Sequence, residues 1–384
     1  MELQVNFLPN ENAVGTVCFM TFNRGHILLK TIKKILPRLN HQWPVLVVNN
    51  GSTRYTQEYN EIEKIAASCK DLNYYRHKKN ILFDGNLRSL FELVPTQFFM
   101  VVSDEDEPVF DELDGLNSFL RKNRDIGGIR TSLGTVPGAD VAYSQAHIFE
   151  DKAFEKGSRE GINLFGFAGN YISGQIYNAP LLNKFNIPQR LKKNITANLS
   201  YPHLYLNVLA AANTRTMYSS SIACLQGIAQ IARPEEFTDY FGPFSYGSRI
   251  DQVVALRNAL FEAFKDIQHN NPDSGFDVGG FYTTYIHLCA KYCGLVARAQ
   301  GRMYRAQMID LDFLTRSFCM FCLAAVEGMP LFDRVKESVA TNLTKIMEQI
   351  LRTQFQRDKA HPQTSFSDFS IKSRNYDVLG KIRK

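Results

Sequence analysis

Short apolar runs and helical repeats alternate through the first hundred residues. Thr16 to Met20 (TVCFM) is a β-rich apolar run, after which Ile27, Leu28, Ile32, Ile35 and Leu36 recur at helical spacing until Pro37. That reads as strand, then helix. Val45 to Val48 is a second strand ending in the turn sequence Asn49-Asn50-Gly51-Ser52, and residues 56 to 69 read as a second helix. Leu72 to Tyr75 makes a third strand, Asn86 to Val94 a third helix, and Phe98 to Val102 a fourth, fully apolar strand. Units of this length predict an α/β domain whose parallel sheet is covered on both faces.

Beyond Pro108 the pattern is more mixed. A helix is expected at 109 to 123, strands at Ile129 to Ser132, Val141 to Ile148 and Tyr171 to Tyr177, and helices at 201 to 212 and 249 to 267. Gly166, Gly169 and Gly174 crowd the third of those strands, as a loop or a close backbone approach would. The polar run at 269 to 280 (HNNPDSGFDVGG) reads as a linker, and the chain after it as helices at 281 to 299, 304 to 326 and 331 to 357 with a basic tail. The expected division is an α/β domain over 1 to 268 and a mainly helical C-terminal domain over 269 to 384.

Composition narrows the class. With 384 residues, 45% hydrophobic and 21% charged, the chain is no disordered tail protein, and it suits a large domain plus a smaller one. The net charge of +6 is too small and diffuse to argue for nucleic acid, yet it favours anionic phosphates or an anionic membrane surface. Phe318 to Val326, the longest apolar stretch, covers about half of the ~20 residues a spanning helix needs, and residues 1 to 20 lack a signal pattern. Seven scattered cysteines do not form a disulfide framework. A soluble chain in a reducing cytoplasm is the expectation.

Ligands of an open parallel sheet bind outside the carboxyl ends of its strands. Those ends here are Thr21-Phe22-Asn23-Arg24-Gly25, Asn49-Asn50-Gly51-Ser52, Arg76 to Asn80, and Ser103-Asp104-Glu105-Asp106-Glu107, all polar. Carboxylates at i and i+2 after a buried strand can turn toward one hard cation, so Asp104 and Asp106 suit Mg²⁺ or Mn²⁺ held against a diphosphate. The competing reading is an acidic loop that caps the following helix.

Taken in order, Phe19 to Arg24, Val45 to Ser52, Asn80 with Gly85-Asn86, and Phe99 to Asp106 resemble family 2 glycosyltransferases of the GT-A fold. The resemblance is specific over about residues 14 to 110. It extends more loosely to Gly169 to Tyr177, which is similar to the acceptor-side strand of bacterial surface-polysaccharide transferases. It implies that Thr21, Asn23, Arg24 and Asn80 lie beside the nucleoside, Asn49 at the base, and Asp104 and Asp106 (the DxD motif) at the metal and diphosphate. Two positions depart from the family pattern. Asn49 stands where Asp is usual, keeping an acceptor oxygen but losing the charge. Leu82 stands where Gly is usual after the third strand, which leaves the loop Asn80 to Asp84 room for another conformation.

Inverting transfer also needs a general base for the acceptor hydroxyl. The usual downstream Glu-Asp pair opening a helix is missing. His203, near the start of the expected helix at 201, takes about that place, and a helix N-terminus would keep its ring neutral. A packing histidine is the default reading, and Glu235, Glu236 and Asp239 are rivals. Cys289, Cys293, Cys319 and Cys322 can be drawn as a zinc site, yet they lie in apolar helical sequence where free cysteine is an ordinary core residue. Basic residues at 184 to 193, at Arg298 to Arg305 and in the tail suit lipid headgroups or a solvated face.

The sequence thus points to a cytoplasmic glycosyltransferase, peripheral on the inner face of a membrane, moving a sugar from a nucleotide-diphosphate sugar to a growing, lipid-linked surface glycan. Its partners would be donor, acceptor and further copies through the C-terminal helices. Two rivals stand beside this reading: an inactive GT-A-like scaffold that binds nucleotide or glycan, and a nucleotidyltransferase, whose Gly-rich, Lys-containing phosphate loop is absent here.

Overall fold

Four parallel strands form the half of the sheet that was expected. They are β1 (Gly15–Thr21), β2 (Val45–Asn49), β3 (Leu72–Arg76) and β4 (Phe98–Ser103). They lie side by side in the order β3-β2-β1-β4, so all four carboxyl ends share one edge. The structure, a computed structural model, describes residues 12–137, 148–167, 171–194, 201–227 and 246–270, with positions 341, 345 and 349.

The helices between the strands explain why β1, β2 and nearly all of β4 are buried along their length. On one face α1 (Gly25–Ile35) and α4 (Phe110–Lys122) place Leu28, Ile32 and Ile35 with Phe110, Leu113, Leu116 and Leu120 in a single core that also takes Val17, Phe19, Met100 and Val102. α2 (Thr56–Ser68) adds Tyr59 and Ile62. Acidic residues open α4 and basic residues close it, which suits its dipole. Trp43 seals the amino end of β1: a Cβ on Gly15 would stand 2.3 Å from its ring, so only glycine fits there. The opposite face takes α3 (Leu82–Leu93), where Phe91 packs edge-on to Phe99.

Beyond β4 the sheet turns mixed. β5 (Glu107–Pro108), β6 (Ile126–Thr135), β7 (Lys152–Phe154), β8 (Gln175–Asn178) and β9 (Arg215–Gln226) continue it in the order β4-β8-β6-β9-β5, with β7 also on β9. β8 is antiparallel to β4 and to β6, whereas β9 is parallel to β6. The one-turn α5 (Arg159–Gly161) leads into a π-helical stretch, Ile162–Phe167. α6 (Ala179–Lys184), α7 (Ile187–Asn194) and α8 (Pro202–Asn213) follow β8, and every residue of α8 is buried.

Several boundaries differ from expectation. The strand expected from Tyr171 begins at Gln175, because 171–174 is a turn in which Gly174 takes φ 78°. α3 starts at Leu82 rather than Asn86, and β9 and α6–α7 were not foreseen. The strand expected at 141 to 148 falls almost wholly outside the described residues, as do the helices expected after 280 except for the helical positions 341, 345 and 349; the four C-terminal cysteines and the basic segments beyond Arg298 fall wholly outside them. The expected boundary at 268 lies inside the helix Tyr246–Asn270.

Contacts divide the chain into two compact units, one of residues 1–194, 201–231 and 262–274, the other of 195–200, 232–261 and 275–384. Within the first unit Arg190 of α7 pairs with Glu262 and, at 2.7 Å, with Asp266, which also accepts from Asn213 of α8. The described cysteines Cys18, Cys69 and Cys224 are free thiols. Among the described residues no helix is long and apolar enough to cross a membrane.

Candidate functional site

The carboxyl end of β1 delivers Thr21 and Arg24 to the carboxyl end of β4. Thr21 Oγ1 lies 2.7 Å from the Tyr59 hydroxyl and donates to Asp104 Oδ2 at 3.0 Å, while Tyr59 accepts from the Arg24 backbone N–H at 3.0 Å. The donors therefore run one way, from Arg24 N–H through Tyr59 and Thr21 to the carboxylate, and each bond polarises the next. The Arg24 guanidinium binds Asp104 Oδ1 at 2.7 Å and Glu105 Oε2 at 2.9 Å. Burial pushes the Asp104 carboxyl well above the ordinary aspartate range, with Arg24 pulling it back down.

Asp106 is held from the other side. Its carboxylate accepts from the Tyr171 hydroxyl, 2.8 Å from both oxygens, from Ser173 Oγ at 2.6 Å and from the Gly227 backbone N–H at 2.8 Å. Gly227 has no alternative, since a Cβ there would stand 1.9 Å from the Glu105 carbonyl oxygen. Asp106 is fully buried, and burial, followed by repulsion from Glu105, pushes its pKa up to about 7.

Three carboxylates in sequence, Asp104, Glu105 and Asp106, thus stand against one guanidinium. Their shortage of positive charge and their hard oxygen donors fit a divalent cation such as Mg²⁺ or Mn²⁺. No cluster of three or more His, Cys, Asp or Glu side chains among the described residues is arranged to hold an ion alone, so phosphate and water oxygens would complete the coordination. Both Asp106 oxygens are already engaged by Tyr171, Ser173 and Gly227, so it would ligate where one of these donors gives way.

The ends of β2 and β3 form a second cluster, built mainly of amides, in which Arg76 also donates to the Ser52 carbonyl at 2.8 Å. Asn23, at φ 55°, accepts through Oδ1 from the N–H groups of Thr53 and Arg54, and its own N–H donates to Ser52 Oγ. Asn50 accepts from Ile81 N–H and donates to Asn80 Oδ1 and the Leu82 carbonyl, and Asn80 Oδ1 also accepts from Leu82 N–H. Leu82 itself is at φ 65°, the left-handed region that favours glycine. The loop therefore keeps a glycine-like backbone despite the leucine.

Asn49 is fully buried with its amide turned inward: Nδ2 donates to the Tyr74 hydroxyl at 2.7 Å and Oδ1 accepts from Ser52 N–H at 2.9 Å. As folded, it shapes the loop, and its free acceptor capacity is one lone pair. His203 lies in the first turn of α8, 1% exposed, its ring edge-on to Tyr201. A base must reach the acceptor oxygen, and this ring is closed off from solvent. Glu235, Glu236 and Asp239 lie outside the described residues.

The structure therefore brings Thr21, Arg24 and Asp104 together, sets Asp106 beside them in its own cradle, and uses Asn23, Asn49 and Asn80 to build the loops around them. Sequence reasoning missed Tyr59, Tyr171, Ser173 and Gly227. Tyr171 and Ser173 lie in the stretch that carried the looser part of the resemblance, but nothing in the sequence joins them to Asp106. Tyr59 carries no local signal beyond an apolar position on a helix.

Comparison with known proteins agrees with this geometry. Residues 16–173 match the family model for glycosyl transferase family 2. Among solved structures, TarS 1-349 of S. aureus in complex with UDP is similar at 14% identity and a TM-score of 0.51, over 92% of this chain and 92% of that one. The mannosyltransferase PcManGT from Pyrobaculum calidifontis, in complex with GDP-Man and Mn2+, is similar at 12% identity and a TM-score of 0.44, over 90% of each chain. No curated protein matches. Residues 16–173, which carry the β1–β4 edge and its acidic cluster, form a glycosyl transferase family 2 domain of the GT-A fold, the domain of a nucleotide-sugar glycosyltransferase.

Proposed function

We propose that the protein is a metal-dependent, inverting glycosyltransferase that extends a lipid-linked surface glycan at the inner face of a membrane. The observation that carries the metal is the Asp104–Glu105–Asp106 run at the end of β4, its two aspartates buried and, among the described residues, only Arg24 paired against its charge. When bound, Mg²⁺ or Mn²⁺ would neutralise the departing nucleoside diphosphate. Arg24, rigidly placed by Asp104 and Glu105, adds a fixed positive charge beside the same phosphates. Thr21 and Tyr59 hold Asp104 in orientation, and Tyr171, Ser173 and Gly227 do the same for Asp106. Asn23, Asn49, Asn50 and Asn80 fix the loops that would wall the nucleoside. The UDP bound to S. aureus TarS supports a uridine nucleotide as the first donor to try.

The membrane-facing acceptor rests on the basic clusters of the sequence and on the resemblance to surface-polysaccharide transferases. A panel of radiolabelled sugar nucleotides, assayed for hydrolysis and for transfer to membrane lipid extracts with Mn²⁺ or with EDTA, tests the reading. Turnover of one donor that stops in EDTA is the expected result. Turnover unaffected by EDTA would remove the metal from the proposal, and no turnover of any donor would favour an inactive nucleotide-binding scaffold.

A further inference from the structure

The second face of the sheet holds a cation that the donor chemistry leaves unused. Arg130 of β6 is 3% exposed, and its Nη1 is buried without a hydrogen-bond partner. No carboxylate pairs with it among the described residues, and the side chain it does bond is the neutral Tyr218 hydroxyl. What it meets instead is aromatic: its guanidinium carbon lies 5.1 Å from the Phe149 ring centre and 5.7 Å from that of Tyr218. Those two rings stack on each other with centres 4.3 Å apart. Ring faces return only part of what a guanidinium loses on leaving water, so a hydrocarbon would fill this place at less cost.

The aromatic pair is built to stay put. The Phe149 backbone N–H donates to Ser132 Oγ at 2.8 Å, and Ser132 Oγ in turn lies 3.1 Å from the Ser219 carbonyl as its donor. The Tyr218 hydroxyl donates to the Leu164 carbonyl, and Phe154 packs edge-on against the Tyr218 ring. Strand register gives the distance to the donor side. Val101 pairs with Gln175, Gln175 with Arg130, and Arg130 with Tyr218, so all four sit in one row across the sheet. Two strand spacings across and three residues along place the Arg130 backbone roughly 14 Å from that of Asp104. That is the reach of a short glycan.

We propose that Arg130 with the stacked Phe149 and Tyr218 rings is a subsite for an acidic sugar of the acceptor, its ring face on the aromatics and its phosphate or carboxylate on the guanidinium. The proposal rests on the glycosyltransferase reading and adds the charge class of the acceptor. A guanidinium matches either anion through paired N–H donors, and the flat rings suit the C–H face of a sugar.

The test titrates the full chain with methyl glucuronide, glucose 6-phosphate and neutral methyl glucoside, in saturating uridine diphosphate and Mn²⁺ so that the donor site is filled. Saturable binding of at least one acidic sugar, weakened tenfold or more in Arg130→Met and in the neutral analogue, is expected, and the tighter of the two acids names the source of the charge. Binding of neither acid to the wild type, or equal binding by Arg130→Met, overturns the subsite. Should Arg130→Met not fold, the Arg130 guanidinium ¹⁵Nε resonance of the wild type, assigned with Arg130→Lys, decides instead: a saturable shift with the acidic sugar supports the subsite and an unmoved signal overturns it. Uridine diphosphate affinity, read on the same wild-type samples, separates the two readings, since its absence contradicts the donor site and not the Arg130 result.

Discussion

Arg24 and Asp104, eighty positions apart in the chain, meet at 2.7 Å where β1 and β4 end side by side. One hydrogen-bond chain through Tyr59 and Thr21 also joins the Arg24 backbone to the same carboxylate. The guanidinium and the backbone of one residue thus both act on one acid, and the turn after β1 sets its position.

Removing that cation should be costly. Arg24→Met leaves a buried Asp104 and its neighbour Glu105 without their partner, for which a destabilisation of about 3 kcal/mol is expected. A urea denaturation series on the wild type and the variant measures it. Donor turnover should fall as well; a variant as stable and as active as the wild type would show the ion pair to be incidental.

Asp106 depends on its cradle in a graded way. Tyr171→Phe and Ser173→Ala each remove one donor to a buried acceptor, a loss of about 1 to 3 kcal/mol per bond, larger above pH 7 where the Asp106 carboxyl is ionised. The two changes share one carboxylate, so their effects should not add. A double-mutant cycle by chemical denaturation reads the coupling, and additive effects would mean that Asp106 is not the common partner.

Leu82 offers the opposite sign. Its left-handed backbone disfavours a side chain by roughly 1 to 2 kcal/mol, whereas glycine gives back roughly 0.5 to 1 kcal/mol in unfolded-state entropy. Leu82→Gly should therefore stabilise by about 0.5 to 1 kcal/mol, while Leu82→Ala keeps the strain. Melting curves of the two variants decide it; a less stable Leu82→Gly would mean that packing of the leucine outweighs the backbone.

Asn49 separates loop-building from base contact. Asn49→Asp can still accept from Ser52 N–H and from the Tyr74 hydroxyl, so fold and nucleotide affinity should persist. Asn49→Leu leaves the buried Ser52 N–H and Tyr74 hydroxyl unmatched and should lower stability by about 1 to 3 kcal/mol. Nucleotide titration beside a denaturation curve distinguishes the roles: an affinity loss in Asn49→Leu without loss of stability would place Asn49 at the ligand.

The first half of the fold was legible because burial on both faces leaves β1, β2 and β4 as unbroken apolar runs, and the stripes of α1 and α4 match one core. β9 was not legible, since Ser219-Ser220-Ser221 breaks its alternation; its strand form comes from pairing with β6 on one side and with β5 and β7 on the other. Asp104 and Asp106 stood out by spacing alone. Their partners did not, because Tyr171, Ser173 and Gly227 reach Asp106 across 65, 67 and 121 positions of sequence. Asn49 shows the reverse case, a position chosen by resemblance whose amide the fold spends on its own turn.

The acidic run after β4 is proposed to hold a divalent ion through which the donor diphosphate binds. Calorimetric titration of uridine diphosphate into the wild type and Asp106→Ala, each with Mn²⁺ and with EDTA, tests it most directly. Tight binding by the wild type in Mn²⁺, weakened tenfold or more by EDTA and by Asp106→Ala titrated well below its own melting temperature, is the predicted result; equal affinity under all four conditions would contradict it.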